Sequence, residues 1–485
     1  MSSFHTLEQL GWCQPFWQLD PALYRLASPQ GITQPKLIHA NDDVAQLIGL
    51  DPNQSKRAAF LRLFSGHTLL KNMQPLAMKY AGHQFGVYNP ALGDGRGLLL
   101  GQVNHQQSVW DIHLKGAGKT PYSRQGDGRA VLRASIREYL CSEAMHHLGI
   151  ATTRALCLID SSEPVMREEI ENAATLARVS QSHVRFGHFE YLYHSNQHHL
   201  LAPLSDTIIK QHFPEVSNDL HPYLSMFNAV VAKTATLIAQ WQAIGFCHGV
   251  MNTDNMSIIG QTLDYGPFAF LDQYQADYVC NASDYEGRYA FNRQPDIAQW
   301  NLSALALALT PLVCKNKLNQ ALAEFEPLLI AHYRHLMLAK LGLSQAQADD
   351  GDLIRAVMRI IADQRLDYTL FWRHLSHAHT AKDMHFMLSN TAEFDTWFTQ
   401  YSERSAREPS NKRQQQQRMQ ANNPKYILRN HLVQRAIELA QTGDYSEVVK
   451  LFDLLQHPYA EQPEFEQYSL GPSDARRLAP LSCSS

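Results

Sequence analysis

Apolar residues along this chain change their period near its middle. From about residue 80 to 120 the apolar runs are short and bounded by glycine, as strands are. LGDGRGLLLGQV (92–103) places a Gly-rich turn before one such run, and SVWDIHLKG (108–116) is a second strand whose apolar run ends in a lysine. Asp94-Gly95 is a hairpin-turn signal. Residues 129–150 then take up a helical period: Leu132, Ile136, Leu140, Ala144 and Leu148 make one stripe, and Gly149 supplies a stop. Strand-like ATTRALCLID (151–160) follows, then a loop-rich stretch holding Arg178 and Arg185. Within it, REEIENAATLAR (167–178) is acidic and reads as helical.

The second half is helical in pattern. SMFNAVVAKTATLIAQWQAIGFCHG (225–249) predicts a long helix with Phe227, Val230, Thr234, Leu237, Trp241 and Ile244 on one face, ended by Gly245. Helical periods dominate to about residue 400. Residues 402–424 are polar and Gln-rich and read as a flexible linker or exposed loop, before a last helical segment opens near 423. The first 75 or so residues mix short apolar runs with Pro and Gln and read as an extension. No internal repeat is visible. A mixed strand-and-helix part followed by a helical one predicts an α+β, bilobal architecture. Its expected parts are an extension (1–78), a strand-rich lobe (79–200), a helical lobe (201–400) and a C-terminal region (401–485).

Composition removes several classes of function. With 485 residues, 45% hydrophobic, and a net charge of −4, the chain has the make-up of a globular protein and no basic footprint for nucleic acid or anionic lipid. Its apolar runs, such as LALALTPLVC (305–314), are too short to span a bilayer. The N-terminus has neither the basic start nor the apolar stretch of a signal peptide. Seven scattered cysteines without a CxxC pair fit buried thiols in a reducing compartment, so a bacterial cytoplasm is expected. The histidines contain no HExxH, and His194, His198 and His199 lie in a polar stretch that reads as a surface turn rather than a metal site.

Four features follow one another in the order that a kinase-like ATP-phosphate site requires. Gly93-Asp94-Gly95-Arg96 can bring backbone N–H groups and a positive charge to phosphates. Lys115, at the end of a strand, can pair with Glu138 in the helix that follows. HGVMNTDN (248–255) keeps the His and Asn spacing of a kinase catalytic loop, but Val250 stands at the base position and cannot accept a proton. Asp254 sits beside Asn255 instead. DYGP (264–267) matches the metal-binding D-F-G, so Asn255 and Asp264 are candidate oxygen ligands for Mg²⁺ or Mn²⁺. Each feature alone is common: most Asp-Gly turns are only turns, and most Lys–Glu pairs are structural.

Together with YAGHQFG (80–86), HLKGAGKTPYSRQGDGRA (113–130), HVRFGHFE (183–190) and the terminal SCSS, these segments closely resemble the selenoprotein O family of protein adenylyltransferases. The resemblance runs from about residue 5 to the end. It implies a protein-kinase-like (pseudokinase) fold that binds ATP in a flipped orientation and transfers AMP to Ser, Thr or Tyr hydroxyls of proteins, itself among them. It further implies that Gly93, Gly95, Arg96, Lys115, Asp127 and Gly128 contact nucleotide, that Glu138 pairs with Lys115, and that Arg178 and Arg185 clamp phosphates. Asp254 would be the proton acceptor, with the metal on Asn255 and Asp264. The sequence ahead of Arg178 matches the family pattern poorly. Cys483 stands where some members carry selenocysteine, and Cys280 is the candidate partner if it acts as a redox thiol. Two other readings stay open: a true kinase, against which Val250 argues, and an inactive nucleotide-binding redox scaffold, which has no need of the Lys, Glu, Asn and Asp set.

Overall fold

A computed structural model of the chain describes residues 4–71 and 73–473. Its strand-rich part is built on a nine-stranded antiparallel sheet. Strands β1 (Trp12–Cys13), β2 (Tyr24–Leu26) and β3 (Lys36–Ala40) come from the N-terminal region. They join β4 (Leu76–Met78), β7 (Gly97–His105), β8 (Ser108–Lys115), β9 (Ala130–Val131), β10 (Arg154–Met166) and β11 (Ile170–Ser180). The order is β2-β4-β7-β8-β11-β10-β3, with β1 on β7 and β9 on β11. A separate hairpin, β5 (Gly82–Gln84) and β6 (Val87–Asn89), stands beside it. The first 78 residues therefore supply four strands of the central sheet, β1 to β4.

The GLLLG run of β7 is apolar on both faces because both faces are covered. Leu98 and Leu100 point to a core with Val44 of α1 (Asp42–Leu47), Ile48 just beyond its end, and Phe60 and Phe64 of α2 (Ala58–Phe64). Leu99, between them, joins the opposite core with Leu132, Ile136 and Leu140 of α3 (Leu132–His147). The predicted apolar stripe of α3 is this buried face.

Three expectations need correction. Residues 167–178 are not helical: β10 and β11 form a hairpin whose turn is 167–169, with Arg178 opposite Ala155 on one side and His113 on the other. The acidic residues occupy the exposed tip, and from Ala173 onward the strand is buried, so sheet pairing overrides local helix preference. The Asp94-Gly95 turn does not join two paired strands. It leads from β6 into β7, and the hairpin lies at 105–108, where Gln106 and Gln107 take positive φ. Finally, the Gln-rich stretch is ordered. α12 (Ala392–Ala406) ends within it and α13 (Lys412–Asn422) fills it. Gln415 donates to the carbonyls of Ser405 and Ser410, and Arg418 to that of Gly342. Buried Met419 joins the core of Trp372, Trp397 and Tyr401. Tertiary contacts hold a helix that has almost no amphipathic pattern of its own.

In the helical part, α4 (Phe186–His194), α5 (Leu201–His212) and the long α6 (Pro222–Ile244) come first. Pro222 opens α6 and Gly245, at φ 76°, ends it in the left-handed conformation. The predicted helix over 225–249 is thus present and stops where Gly245 stands. Behind it pack α7 (Gln294–Ala308), α8 (Lys315–Ala323), α9 (Phe325–Lys340), α10 (Asp350–Asp363) and α11 (Tyr368–Leu375). α14 (Asn430–Gln441) and α15 (Ser446–Leu455) return to cover α3. No helix among the described residues is long and apolar enough to cross a membrane. Cys141, Cys157, Cys247 and Cys280 are buried, Cys13 is partly buried and Cys314 is exposed. Cys280 is packed 3.5 Å from the Cys247 sulfur instead of lying in an open loop. Cys483 lies outside the described residues.

Because Met419 anchors α13, Met419→Ala should cost about 2–4 kcal/mol in chemical denaturation. An unchanged midpoint would mean that residues 412–422 do not pack as described.

Candidate active site

The strand-rich and helical parts meet at a cleft of about 450 Å³, a size suited to a small-molecule ligand. Its wall on the sheet side is the loop between β6 and β7. Asp94, buried, accepts from the Met78 backbone at 3.0 Å and the Tyr80 hydroxyl at 3.2 Å, and pairs with His113 at 3.3 Å. Burial would raise its pKa, but His113, Arg185 and the Met78 N–H hold it down at about 2. Asp94 thus braces the turn from behind. Gly93, at φ 147°, could not carry a Cβ without meeting the Tyr122 ring and the Met78 carbonyl. Opposite, Gly128 at φ 72° presses its backbone on Gly118. Asp127 is gripped by both terminal nitrogens of Arg167, at 2.7 and 2.9 Å.

At the centre three cations converge on one carboxylate. Asp264 Oδ1 accepts from Arg178 at 2.5 Å and Lys115 at 3.3 Å, and Oδ2 from Arg185 at 3.0 Å. Lys115 is also bonded to Glu138, whose other oxygen lies 3.2 Å from Arg178. Glu138 is 1% exposed, so it turns fully inward from α3. Burial pushes the Asp264 carboxyl up, yet Arg178, Lys115 and Arg185 together hold it well below the usual carboxylate range. Around this centre the cleft is lined by eight Lys and Arg side chains and five carboxylates. A chain that is acidic overall thus concentrates positive charge where polyphosphate would bind.

The loop after α6 forms the far side. His248 stacks on Trp241 and lies 3.1 Å from the Asp264 carbonyl; burial lowers its pKa to about 4, so it is neutral. Val250 lines the cleft but holds no proton. Asp254 is 8% exposed, and burial raises its pKa to about 6 against the pull of Arg185. Arg185, the residue before α4, donates to the Asp254 carbonyl at 2.7 Å and lies 4.9 Å over the Tyr80 ring. Gln84, from the β5–β6 hairpin, donates to Asp254 Oδ2 at 3.3 Å, and Oδ1 is buried with no partner. An acid of this pKa, with one free oxygen, is poised to take a proton near neutral pH.

All twelve residues singled out in the sequence line this one cleft: Gly93, Gly95, Arg96, Lys115, Asp127, Gly128, Glu138, Arg178, Arg185, Asp254, Asn255 and Asp264. Asn255 spends its amide N–H on the Val250 carbonyl at 2.9 Å, which leaves its amide oxygen for a ligand. Asp264 is the other hard-oxygen donor, with 24% of its side chain exposed. This donor set fits a divalent cation of the Mg²⁺ or Mn²⁺ kind. Sequence reasoning missed Gln84 and Arg167. Gln84 stood in the quoted YAGHQFG segment, but nothing in the chain ties residue 84 to residue 254. Arg167 belonged to the segment read as a helix.

A cationic lining, a buried acid with one unbonded oxygen and two hard-oxygen donors suit an enzyme that handles phosphoryl or nucleotidyl groups. Comparison with known proteins narrows it. A family model described as protein adenylyltransferase SelO matches residues 7–456. A protein nucleotidyltransferase YdiU of Pseudomonas putida (strain GB-1) is 50% identical over 483 residues, covering 99% of each chain. One of the same name from Vibrio vulnificus (strain YJ016) is 51% identical over 484 residues, 97% of this chain and 98% of its own. The chain belongs to the SelO family of protein adenylyltransferases.

Asp254 gives a pH test. Its folded pKa is raised from 3.8 to about 6, so its contribution to stability is complete below the ordinary value and is lost as pH rises through about 6. Asp254→Asn should therefore stabilise the ligand-free protein at pH 8, by up to about 3 kcal/mol, and lose that advantage near pH 4. Melting curves across pH check this. An advantage independent of pH would mean that Asp254 is not held in the raised state.

Proposed function

We propose that the cleft binds ATP with its α-phosphate toward Asp254, and that the protein transfers AMP from ATP to Ser, Thr or Tyr hydroxyls of protein substrates. The observation that carries this reading is the placing of one acid, Asp254. Asp254 is buried and raised to about 6 beside the phosphate-side cations, whereas the kinase base position holds Val250. The acceptor oxygen attacks the α-phosphorus, its proton passes to the free Asp254 oxygen, and the bond to the bridging oxygen breaks to release pyrophosphate. Arg178, Arg185 and Lys115 neutralise the charge that develops, with Gly93, Gly95, Arg96, Asp127 and Gly128 around the rest of the nucleotide. Glu138 positions Lys115. Mg²⁺ or Mn²⁺ on Asn255 and Asp264 would add Lewis-acid charge neutralisation.

The architecture proposed with this function is a kinase-like pair of lobes. Residues 79–200 form the nucleotide lobe, with its sheet completed by 1–78. Residues 201–400 form the helical lobe that carries the catalytic loop, and α14 and α15 of the C-terminal region (401–485) close over α3. The expected compartment is the bacterial cytoplasm, in keeping with the buried unpaired thiols. The protein itself is one expected acceptor, and neither nucleic acid nor membrane is an expected partner.

Incubation with ATP labelled at the α- or γ-phosphate and Mg²⁺ or Mn²⁺, read by intact-protein mass spectrometry, tests this. We expect gain of one AMP carrying the α-label, and its loss, by more than about 100-fold in rate, in Asp264→Ala. Gain of a phosphate with the γ-label, or near-normal transfer by Asp264→Ala, would overturn the reading.

A further inference from the structure

A second cluster of ligand-type side chains lies outside the nucleotide cleft, where the β5–β6 hairpin rests on α4. His83, in β5, points its ring between Tyr88, Trp300 and His194, with centroid distances of 5.3, 5.1 and 6.1 Å. Its Nδ1 is bonded to Glu190 Oε2. Glu190 is wholly buried, and its other oxygen has no hydrogen-bond partner. His194 stands one helical turn beyond Glu190 on the same face of α4 and lies against the Tyr88 ring at 4.2 Å. One donor atom from each of His83, Glu190 and His194 lies within 4.8 Å of the others, the one such group of three among the described residues.

We propose that these three side chains bind a divalent transition-metal ion of the zinc class. Two imidazoles and one carboxylate form a borderline-soft set, which suits Zn²⁺, Co²⁺ or Ni²⁺ and ill suits Mg²⁺, the ion for the all-oxygen pair in the cleft. Ligand bonds of about 2.0–2.2 Å set tetrahedral donors roughly 3.4 Å apart, so donors that already lie within 4.8 Å of one another need shifts of little more than an ångström. His194, exposed at the end of its helix, has the freedom to do so. The orphaned Glu190 oxygen gains a partner, and solvent beside His194 supplies the fourth ligand. His198 and His199 take no part: the His198 ring stacks on Tyr193 and bonds its carbonyl.

Such an ion would tie the hairpin to α4, and the hairpin holds the acceptor side of the catalytic loop. The His83 backbone N–H donates to Thr253 Oγ1 at 2.7 Å, Gln84 to Asp254 at 3.3 Å, and the Phe85 N–H to the Tyr289 hydroxyl at 2.8 Å. The bound ion thus positions Gln84 on Asp254 without touching the nucleotide.

The test is titration of the metal-stripped full-length chain with Co²⁺ in excess Mg²⁺, followed by visible absorption and thermal melting. We expect one equivalent of Co²⁺ to give the intense visible bands of a four-coordinate site, and stoichiometric Zn²⁺ to abolish them and raise Tm. His194→Ala, at an exposed position away from the nucleotide cleft, should weaken Co²⁺ binding by more than about 100-fold and remove the Zn²⁺ shift in Tm. Glu190→Gln, which keeps the side-chain shape, should do the same. Absence of the cobalt bands, or bands undiminished in both variants, would overturn the proposal, whatever the outcome for AMP transfer.

Discussion

Everything at the centre of this molecule turns on one carboxylate shared by three cations. Asp264 is pulled from water between Arg178, Lys115 and Arg185. Without them its burial would favour the protonated acid; without it, three positive groups would face one another in a poorly solvated cleft. Each cation comes from a different element: Arg178 from β11, Lys115 from β8, and Arg185 from the start of α4. The carboxylate is therefore the pin that holds sheet and helical part in register. It is also the proposed metal ligand, so nucleotide and metal would have to take over the cations that it now occupies.

That pin depends in turn on a sheet buried on both faces. β8 and β11 are neighbours, with Leu176 opposite Lys115 and Arg178 opposite His113. Such pairing fixes which side chains look toward the cleft, because a slip of one residue would turn each to the other face. The N-terminal region makes double burial possible by covering the face that α3 does not. Arg178 can afford complete burial only because Glu138 and Asp264 both face it.

Much of the chemistry was legible in the chain, for a physical reason. Phosphate and metal sites need particular residue types at short spacings: glycines in a turn, lysine at a strand end, acids and amides in one loop. Such spacings survive in one dimension: they marked Gly93, Gly95, Arg96, Lys115, Glu138, Asp254, Asn255 and Asp264, the family resemblance added Asp127, Gly128, Arg178 and Arg185, and all twelve line one cleft. What was not legible came from contacts between distant segments. Glu168, Glu169 and Glu171 gave 167–178 a helical look, but the strand exists because β8 and β10 flank it. The Gln-rich stretch looked unstructured because its helix is held by Met419 and by donors to distant carbonyls. Gln84 and Asp254 are 170 residues apart, and no spacing rule joins them. His194 looked like part of a surface run until α4 placed it over Glu190.

The central claim is that this cleft presents the α-phosphate, not the γ-phosphate, to Asp254. The most direct measurement is a crystal structure of the protein with a non-hydrolysable ATP analogue and Mg²⁺ or Mn²⁺. The account predicts the α-phosphorus as the phosphorus nearest the Asp254 carboxylate, with the cation on Asn255 and Asp264. A γ-phosphorus facing Asp254, with the α-phosphate turned away, would contradict it.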